Sequence, residues 1–434
     1  MAQASRHVVI VGGGFAGIMA AKKLRGRDCR VTLVDKTNHH LFQPLLYQVA
    51  TAALSPGDIA MPIRAILGSD SGVRVLLGEV SSVDPEAGTV QLADGSSLAY
   101  DQLLLAPGAQ YDYFGNESWE EHAPGLKTVS DALQVRERIL LSLEEAEQLD
   151  DPKLREPFLT YVIIGGGPTG VEMAGAIAEI AKRNMMRDYT TFSANETRIF
   201  LVEAGPRILN GYPEHLSEKA RQTLEEMGVR VLLDTPVTEI GENRVGFGKG
   251  EIETPNIIWA AGVAASPVLD SLGAEQDRTG RVHVNSDLSL PGHPEIFVAG
   301  DAACVEDEDG QPLPALAPVA MQQGRYVGNI LAQQIPSEER TPFRYKDKGT
   351  MATIGRAKAV ADIRGFTFSG FAAWMLWSFI HIFFLIGFRN RFRVFVEWIW
   401  FYFTFKRGVR LITNRFSEEA DDRRNQGTPE AGKA

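Results

Sequence analysis

Cysteine is nearly absent from this chain. The 434 residues hold two, Cys29 and Cys304, far apart and in no CxxC or CxxxxC pair. That excludes a disulfide framework and a redox dithiol, so any redox chemistry has to be carried by a cofactor. Positive charge is also in deficit: 44 Lys and Arg against 55 Asp and Glu leave a net charge of -11. An acidic surface repels phosphate, which argues against nucleic acid as a partner. No metal site is read from the sequence. The apolar run begins at about His7 and passes straight into a glycine loop. That leaves no room for a signal segment, and the bulk of the protein is expected in the cytoplasm.

What is present is a globular composition, 44% apolar and 23% charged, in a chain long enough for two or three domains. Part of the reason for its 42 glycines is a pattern that occurs twice. His7 to Val11 reads as a buried parallel strand; it enters Gly12-Gly13-Gly14-Phe15-Ala16-Gly17, then an Ala-rich helix to about Leu24, then Arg30 to Asp35, a strand ending in an acid. Tyr161 to Ile164 likewise enters Gly165-Gly166-Gly167-Pro168-Thr169-Gly170, a helix, and the strand Arg198 to Glu203. A lone GxGxxG is weak, but strand, glycine turn, helix and distal acid together form a dinucleotide-binding unit. Gly12 allows the tight turn, Gly14 the approach of a pyrophosphate, and Gly17 the packing of helix on strand. The phosphates would sit at the helix N-terminus, and Asp35 would hold a ribose. Glu203 favours an unmodified ribose and so NADH over NADPH; Arg207, four residues on, is in a position to soften that choice. The wider gap before Glu203 reads as an inserted loop from Arg183 to Thr197.

Two such units suggest a flavin on one and a nicotinamide on the other. The strand Glu295 to Val298, ending in Ala299-Gly300-Asp301, supplies an acid of the type that holds a flavin ribityl chain. Residues 141–157 read as a helix end and linker. The C-terminal part changes character. Phe371 to Phe388 is 18 residues without formal charge, long enough to span a membrane. Ser378 and His381 interrupt it, Arg389, Arg391 and Arg393 follow, and the next apolar run carries Glu397. From Arg389 to Arg415 seven Lys and Arg face one acid, a local charge of +6. A flat-lying pair of helices, with Trp374, Trp377, Trp398 and Trp400 at headgroup level on an anionic surface, fits better than a span. A core helix or dimer contact is the alternative. After Ser417 the chain reads as a disordered tail.

The sequence resembles the type II (single-subunit, non-proton-pumping) NADH:quinone oxidoreductases over nearly its whole length. The resemblance rests on Asn38-His39-His40-Leu41-Phe42-Gln43-Pro44-Leu45-Leu46-Tyr47-Gln48-Val49-Ala50-Thr51, on Gly167 to Glu172, on Trp259 to Val263, and on Ala317-Pro318-Val319-Ala320-Met321-Gln322-Gln323-Gly324. It implies an α/β fold of two Rossmann-like dinucleotide-binding domains, the two-dinucleotide flavoprotein fold, plus a C-terminal helical membrane-docking region. Residues 1–120 and 276–335 would bind FAD, 158–275 NADH, and 336–415 the membrane, with 416–434 the tail. FAD contacts are expected at Gly12, Gly14, Phe15, Ala16, Gly17, Asp35, Lys36, Gln48, Val80, Ala106, Gly108, Gly300, Asp301, Val319 and Ala320. NADH contacts are expected at Gly165, Gly167, Pro168, Thr169, Gly170, Glu203, Ala261 and Gly262.

The family's quinone signature is Ala-Gln-x-Ala-x-Gln. Gln322 matches its last position and Pro318 replaces its first Gln, so Gln322 is the expected catalytic amide, with Gln323 and His381 near the quinone. Glu172 matches a Glu beside the nicotinamide and flavin, expected to position NADH or relay protons; the plain alternative is a first-turn acid complementing the helix dipole. His39 and His40 are expected to shape the flavin loop rather than act as acid and base. The implied reaction takes hydride from NADH to FAD and electrons to a membrane quinone. No chain of acids or lysines lies within the apolar runs, so no proton pumping is expected. A peripheral position on the cytoplasmic membrane face and a homodimer are expected. Sulfide:quinone oxidoreductases and disulfide reductases, similar in outline, need the cysteines this chain lacks. Ferredoxin-type reductases and a membrane-associated redox sensor remain alternatives.

Overall fold

The computed structural model describes residues 6–181, 188–248, 250–307, 310–404 and 410–412. The expected tail at 416–434 lies outside them, as do Lys406, Arg407 and Arg415 of the basic cluster and 183–187 of the expected insertion.

Two parallel sheets carry the duplicated pattern. In the first, the strands run in the order Ser289–Leu290, His293–Val298, Gln102–Leu105, His7–Val11, Arg30–Asp35, Val73–Leu77, with only Ser289–Leu290 antiparallel. In the second, the order is Val229–Leu232, Arg198–Val202, Thr160–Ile164, Asn256–Trp259. Every residue of His7–Val11 and of Thr160–Ile164 is buried, which explains their unbroken β-branched runs: a parallel strand covered on both faces has no polar side to show. The helices Phe15–Leu24 and Pro168–Glu179 follow the two glycine loops. A short antiparallel ribbon, Ala109–Tyr111 with Val263–Ala265, links the chain leaving one sheet to the chain leaving the other.

The C-terminal region departs from the all-helical reading. A three-stranded antiparallel sheet, Thr350–Gly355, Lys358–Ile363 and Phe366–Ser369, precedes the helices Phe371–Phe384 and Phe388–Thr404. Ala359 and Ala361 on the middle strand are buried with Ala373 of the first helix, so small residues let helix lie on sheet. A Cβ on Gly175 would fall 1.6 Å from the Ile354 carbonyl oxygen, so the sheet rests directly on Pro168–Glu179. The long uncharged run is broken after Phe384: Leu385 is extended (φ -60°, ψ 132°) and Gly387 has φ 91°. Among the described residues no helix is long and apolar enough to cross a membrane.

Residues 41–54 form a bend between the first sheet and the rest of the molecule. Their apolar side chains, Phe42, Leu45, Leu46, Val49 and Leu54, are buried in one core with Val135 and Ile139 of the helix Val129–Glu147. The short helices Gln43–Leu45 and Leu46–Ala50 end here, and the carbonyls at and beyond their end need donors. Buried Arg136 supplies them, giving Nε–H to the Val49 carbonyl at 2.7 Å and an Nη–H to the Leu54 carbonyl at 2.9 Å. Replacing Arg136 by Met keeps most of the stem and removes both donors. We expect this to cost about 2–4 kcal/mol and to lower the melting temperature measurably; an unchanged melting temperature would show that Arg136 does not hold the bend.

Candidate active site

The two glycine loops are built alike. Gly12 has φ 98° and Gly165 φ 108°; a Cβ would fall 2.1 Å from the Ala106 carbonyl oxygen at the first and 2.7 Å from the Ala260 carbonyl carbon at the second. A Cβ on Gly17 or Gly170 would lie 1.9 or 1.8 Å from the carbonyl oxygen of Gly12 or Gly165, so each helix sits on its own loop. Gly14 and Gly167 face open space, where a phosphate can approach the backbone. Neither helix has an acid in its first turn to repel one. The acids close the loops. Asp35 accepts the Gly13 N–H at 2.5 Å, the Thr37 N–H at 2.6 Å and the Thr37 hydroxyl at 2.7 Å. Glu203 accepts the Gly166 N–H at 2.5 Å and the Gly205 N–H at 2.7 Å. Pro168 and Thr169 are exposed at the helix start, Ala261 lies across the loop next to Gly165, and Gly262 lies against the Asp112 carbonyl and the Phe114 ring. Arg207 turns away: its guanidinium donates to the Asn210 side-chain oxygen at 3.0 Å and carbonyl at 2.9 Å.

Along the first loop runs a cleft of about 680 Å³. Gly12, Gly14, Phe15, Ala16, Asp35, Lys36, Val80, Ala106, Gly108, Gly300, Asp301 and Ala320 line it as expected. Gly17 lies beneath the loop and Val319 is buried outside the lining. Gln48 does not face the cleft, because the bend at 41–54 turns it to the opposite side. The sequence reading missed Lys127, which lines the cleft; burial lowers its pKa, and the charge of Asp301 opposes that. Its only local signal was the helix cap that follows it, Thr128 and Asp131. Gln323 is fully buried, and its side-chain oxygen accepts the Gly300 N–H at 2.6 Å. It therefore holds the Gly300-Asp301 turn and has no free reach to a substrate.

A second, narrower cavity of about 70 Å³ lies on the other side of the bend. Tyr47, Gln48 and Thr51 of the bend, Glu172, Thr353, and Trp374, Trp377 and Trp398 of the C-terminal helices line it. The Trp398 indole N–H donates to the Gln48 side-chain oxygen at 2.8 Å, and the Gln48 amide donates to the Tyr47 hydroxyl at 2.8 Å. Arg393 pairs with buried Asp58 at 3.2 Å. Glu172 is not a first-turn acid; it sits in the second turn, facing the cavity. Burial pushes its carboxyl up to about 8, against a weak opposing bond from the Thr353 N–H at 3.5 Å.

None of the three residues expected at the quinone, Gln322, Gln323 and His381, lines this space. Gln322 accepts the Lys346 N–H and donates to the Lys346 carbonyl, both at 3.0 Å, so its amide is taken by backbone. His381 stacks on Trp377 at 4.2 Å with Nδ1 on the Trp377 carbonyl at 2.7 Å, one layer behind the cavity wall. His40 bonds the Gly13 carbonyl through Nδ1 at 3.1 Å. Burial pulls the pKa of both His40 and His381 down to about 4, so each is a neutral structural ring at neutral pH. His39 lines the cleft.

Residues 6–324 match the pyridine nucleotide-disulphide oxidoreductase family, and residues 348–407 match the NDH2 C-terminal domain. The chain is 40% identical over 426 residues to the type II NADH:quinone oxidoreductase Ndh of Mycobacterium tuberculosis, covering 94% of this chain and 91% of that one. It is 42% identical over 428 residues to NdhA of the same organism, covering 94% and 90%. The chain belongs to the type II NADH:quinone oxidoreductase family. A more distant relative is the mitochondrial internal alternative NAD(P)H-ubiquinone oxidoreductase A1 of Arabidopsis thaliana, 30% identical, covering 91% and 83%. Among solved structures, NDH2 from Plasmodium falciparum in complex with NADH shares the fold, with a TM-score of 0.86 at 20% identity over 93% of this chain and 99% of that one. The sulfide:quinone oxidoreductase of Aquifex aeolicus shares it less closely, with a TM-score of 0.71 at 19% identity, covering 96% and 94%. In this type II family member both cysteines are free thiols, Cys304 buried and Cys29 half-buried.

The raised Glu172 pKa makes stability depend on pH. The fold favours the neutral carboxyl, so its contribution is complete below the ordinary value of 4.5 and is lost as pH rises towards about 8. Glu172→Gln removes that loss. Its melting temperature should gain on wild type steadily between about pH 4.5 and about pH 8 and then hold a constant lead. A difference independent of pH would show that the carboxyl is solvated and titrates normally.

Proposed function

We propose that this chain oxidises NADH and reduces a membrane quinone through bound FAD, without moving protons across the membrane. The observation that carries this reading is the bend at 41–54. One side of it, at Leu41 and Gln43, faces the long cleft, and the other, at Tyr47, Gln48 and Thr51, faces the Glu172 cavity under the aromatic helices. The first sheet is then the FAD domain and the second the NADH domain. The cleft suits the cofactor: an acid-free helix start for the pyrophosphate, Asp35 for the ribose, Asp301 with Lys127 at the far end. Bound FAD supplies the two-electron relay between the hydride donor and the quinone.

The chain's own part is binding, exclusion of water and proton supply. Glu203, with Arg207 tied back, accepts an adenosine ribose and repels a 2′-phosphate. Glu172 carries its proton at neutral pH beside the cavity where the quinone ring would lodge, so it is placed to give that proton to a reduced quinone. Gln48, oriented by Trp398, offers a hydrogen-bonding amide on the same wall. Gln323 acts through Gly300, and Gln322 through the Lys346 backbone.

The helices Phe371–Phe384 and Phe388–Thr404 would lie on the bilayer at its cytoplasmic face. Phe388 is 85% and Phe403 75% exposed, an arrangement costly in water and favourable among acyl chains. A homodimer through this end belongs to the same reading.

Anaerobic mixing of the full chain with NADH, followed by flavin absorbance and then by addition of a short-chain quinone, tests it. Fast bleaching and fast recovery are expected. Bleaching without recovery would remove the quinone half and leave a sensor or a reductase with another acceptor. Glu203→Gln should lower the preference for NADH over NADPH by about tenfold, on the order of 1.4 kcal/mol, read as the ratio of kcat/KM values. Glu172→Gln should slow flavin reoxidation by quinone by on the order of a hundredfold, the usual share of a general acid, while bleaching by NADH stays fast. Equal slowing of both halves would place Glu172 on the NADH side.

A further inference from the structure

Cations gather at one edge of the aromatic face. Lys22 and Lys23 end the helix Phe15–Leu24, and Arg25 follows as its cap. That helix lies tightly along Ala317–Gln333: a Cβ on Gly324 would fall 2.1 Å from the Ala16 carbonyl oxygen, and one on Gly328 2.9 Å from the Ala20 Cα and the Lys23 Cβ. Arg325 therefore stands beside the lysines. Lys22 also lies near His40, whose strand pairs with Ala60–Pro62 opposite Met61. A Cβ on Gly387 would meet the Met61 sulfur at 3.2 Å. The turn between the two aromatic helices, and Arg391 just beyond it, thus reach the same place. Arg391 is braced there, its Nε–H donating to the Leu385 carbonyl at 2.7 Å and its guanidinium over the Phe383 ring at 5.8 Å.

Three elements remote in sequence bring these cations together. Burial and the charges of Arg25, Arg325 and Arg391 all lower the Lys22 pKa, and no carboxylate opposes them. Among the described residues none of Lys22, Arg25, Arg325 and Arg391 makes an ion pair. Arg393, by contrast, is committed to Asp58. In a chain of net charge -11 such a cluster is an uncompensated like-charge site, which an anion would relieve.

We propose that Lys22, Arg25, Arg325 and Arg391 bind the phosphate-bearing headgroup of an anionic lipid at the rim of the aromatic face. This rests on the membrane-docking reading above. The occupant follows from continuity: Phe383 lies under Arg391, and exposed Phe388 is one turn before it. Acyl chains would meet the aromatics where headgroups meet the cations. The docking surface then extends beyond the C-terminal helices to the far end of the helix that begins at the cofactor loop.

Sedimentation of the full chain with vesicles tests this, using phosphatidylcholine alone and phosphatidylcholine with phosphatidylglycerol. Wild type and the double variant Lys22→Ala/Arg325→Ala are compared at low salt. Wild type should prefer the phosphatidylglycerol vesicles. The double variant should lose roughly fivefold in affinity for them per cation removed, about 25-fold in all. It should keep wild-type binding to phosphatidylcholine and wild-type NADH oxidation with a soluble quinone. Equal affinity of both proteins for phosphatidylglycerol vesicles would overturn the headgroup site and leave docking intact. Failure of wild type to bind either vesicle would remove docking and site together.

Discussion

Each half of the molecule is organised around one carboxylate that accepts the N–H of the middle glycine of a loop. The register makes this contact: Val11 pairs with Val34 and Ile164 with Val202, so the acid at the end of the second strand arrives beside the turn at the end of the first. With the middle N–H taken, the rest of the loop is turned outward at the positive end of its helix. The glycines then follow from contact. A side chain at Gly12 or Gly17 would strike backbone, and Gly14 keeps the approach open. The same arrangement in both sheets makes two anion cradles of one design, set apart by the short ribbon that links their chains.

What lies between the cradles depends on a single stretch of two short helical turns and the chain that follows them. Residues 41–54 are held from behind by Arg136 and from the C-terminal helix Phe388–Thr404 by Trp398 on Gln48, and the same helix ties down the segment that follows through Arg393 on Asp58. Because these contacts exclude water, groups next to the bend are driven to neutral forms. Glu172 keeps its proton, and His40 and His381 lose theirs. The same desolvation acts in opposite senses because the charged form of the acid is the deprotonated one. The cavity is edged by a neutral acid, an oriented amide and three tryptophans, with Glu179, Arg356 and Glu397 on the same lining, so flat apolar rings and charged groups share one small space. The elements that seal it carry the exposed aromatics, so what docks on that face also bears on the cavity.

Much of this was legible in the amino-acid sequence. Alternation of β-branched runs, glycine turns and terminal acids marks both units, because parallel strands must be apolar and phosphate loops must be small. Glu203 could be read as an acid at a strand end, and the broken charge pattern after Phe388 argued against a membrane span. Local chemistry carries such signals. What needed tertiary structure were the facts created by distant backbone. The strands at 350–369 find their partners only in the fold, with Pro168–Glu179 beneath Ile354 and the helix Phe371–Phe384 on Ala359 and Ala361. Gln322 was expected as the catalytic amide with Gln323 near the quinone; folding gives one to Lys346 and the other to Gly300. Gln48 was assigned to the flavin by position, and the bend turns it to the opposite wall. Glu172 owes its character to desolvation, and Lys127 and the cluster at Lys22 to desolvation together with charges that include Asp301, Arg325 and Arg391, remote in sequence. Periodicity and spacing report which residues are neighbours along an element, whereas proton affinity and access are set by what folding brings alongside.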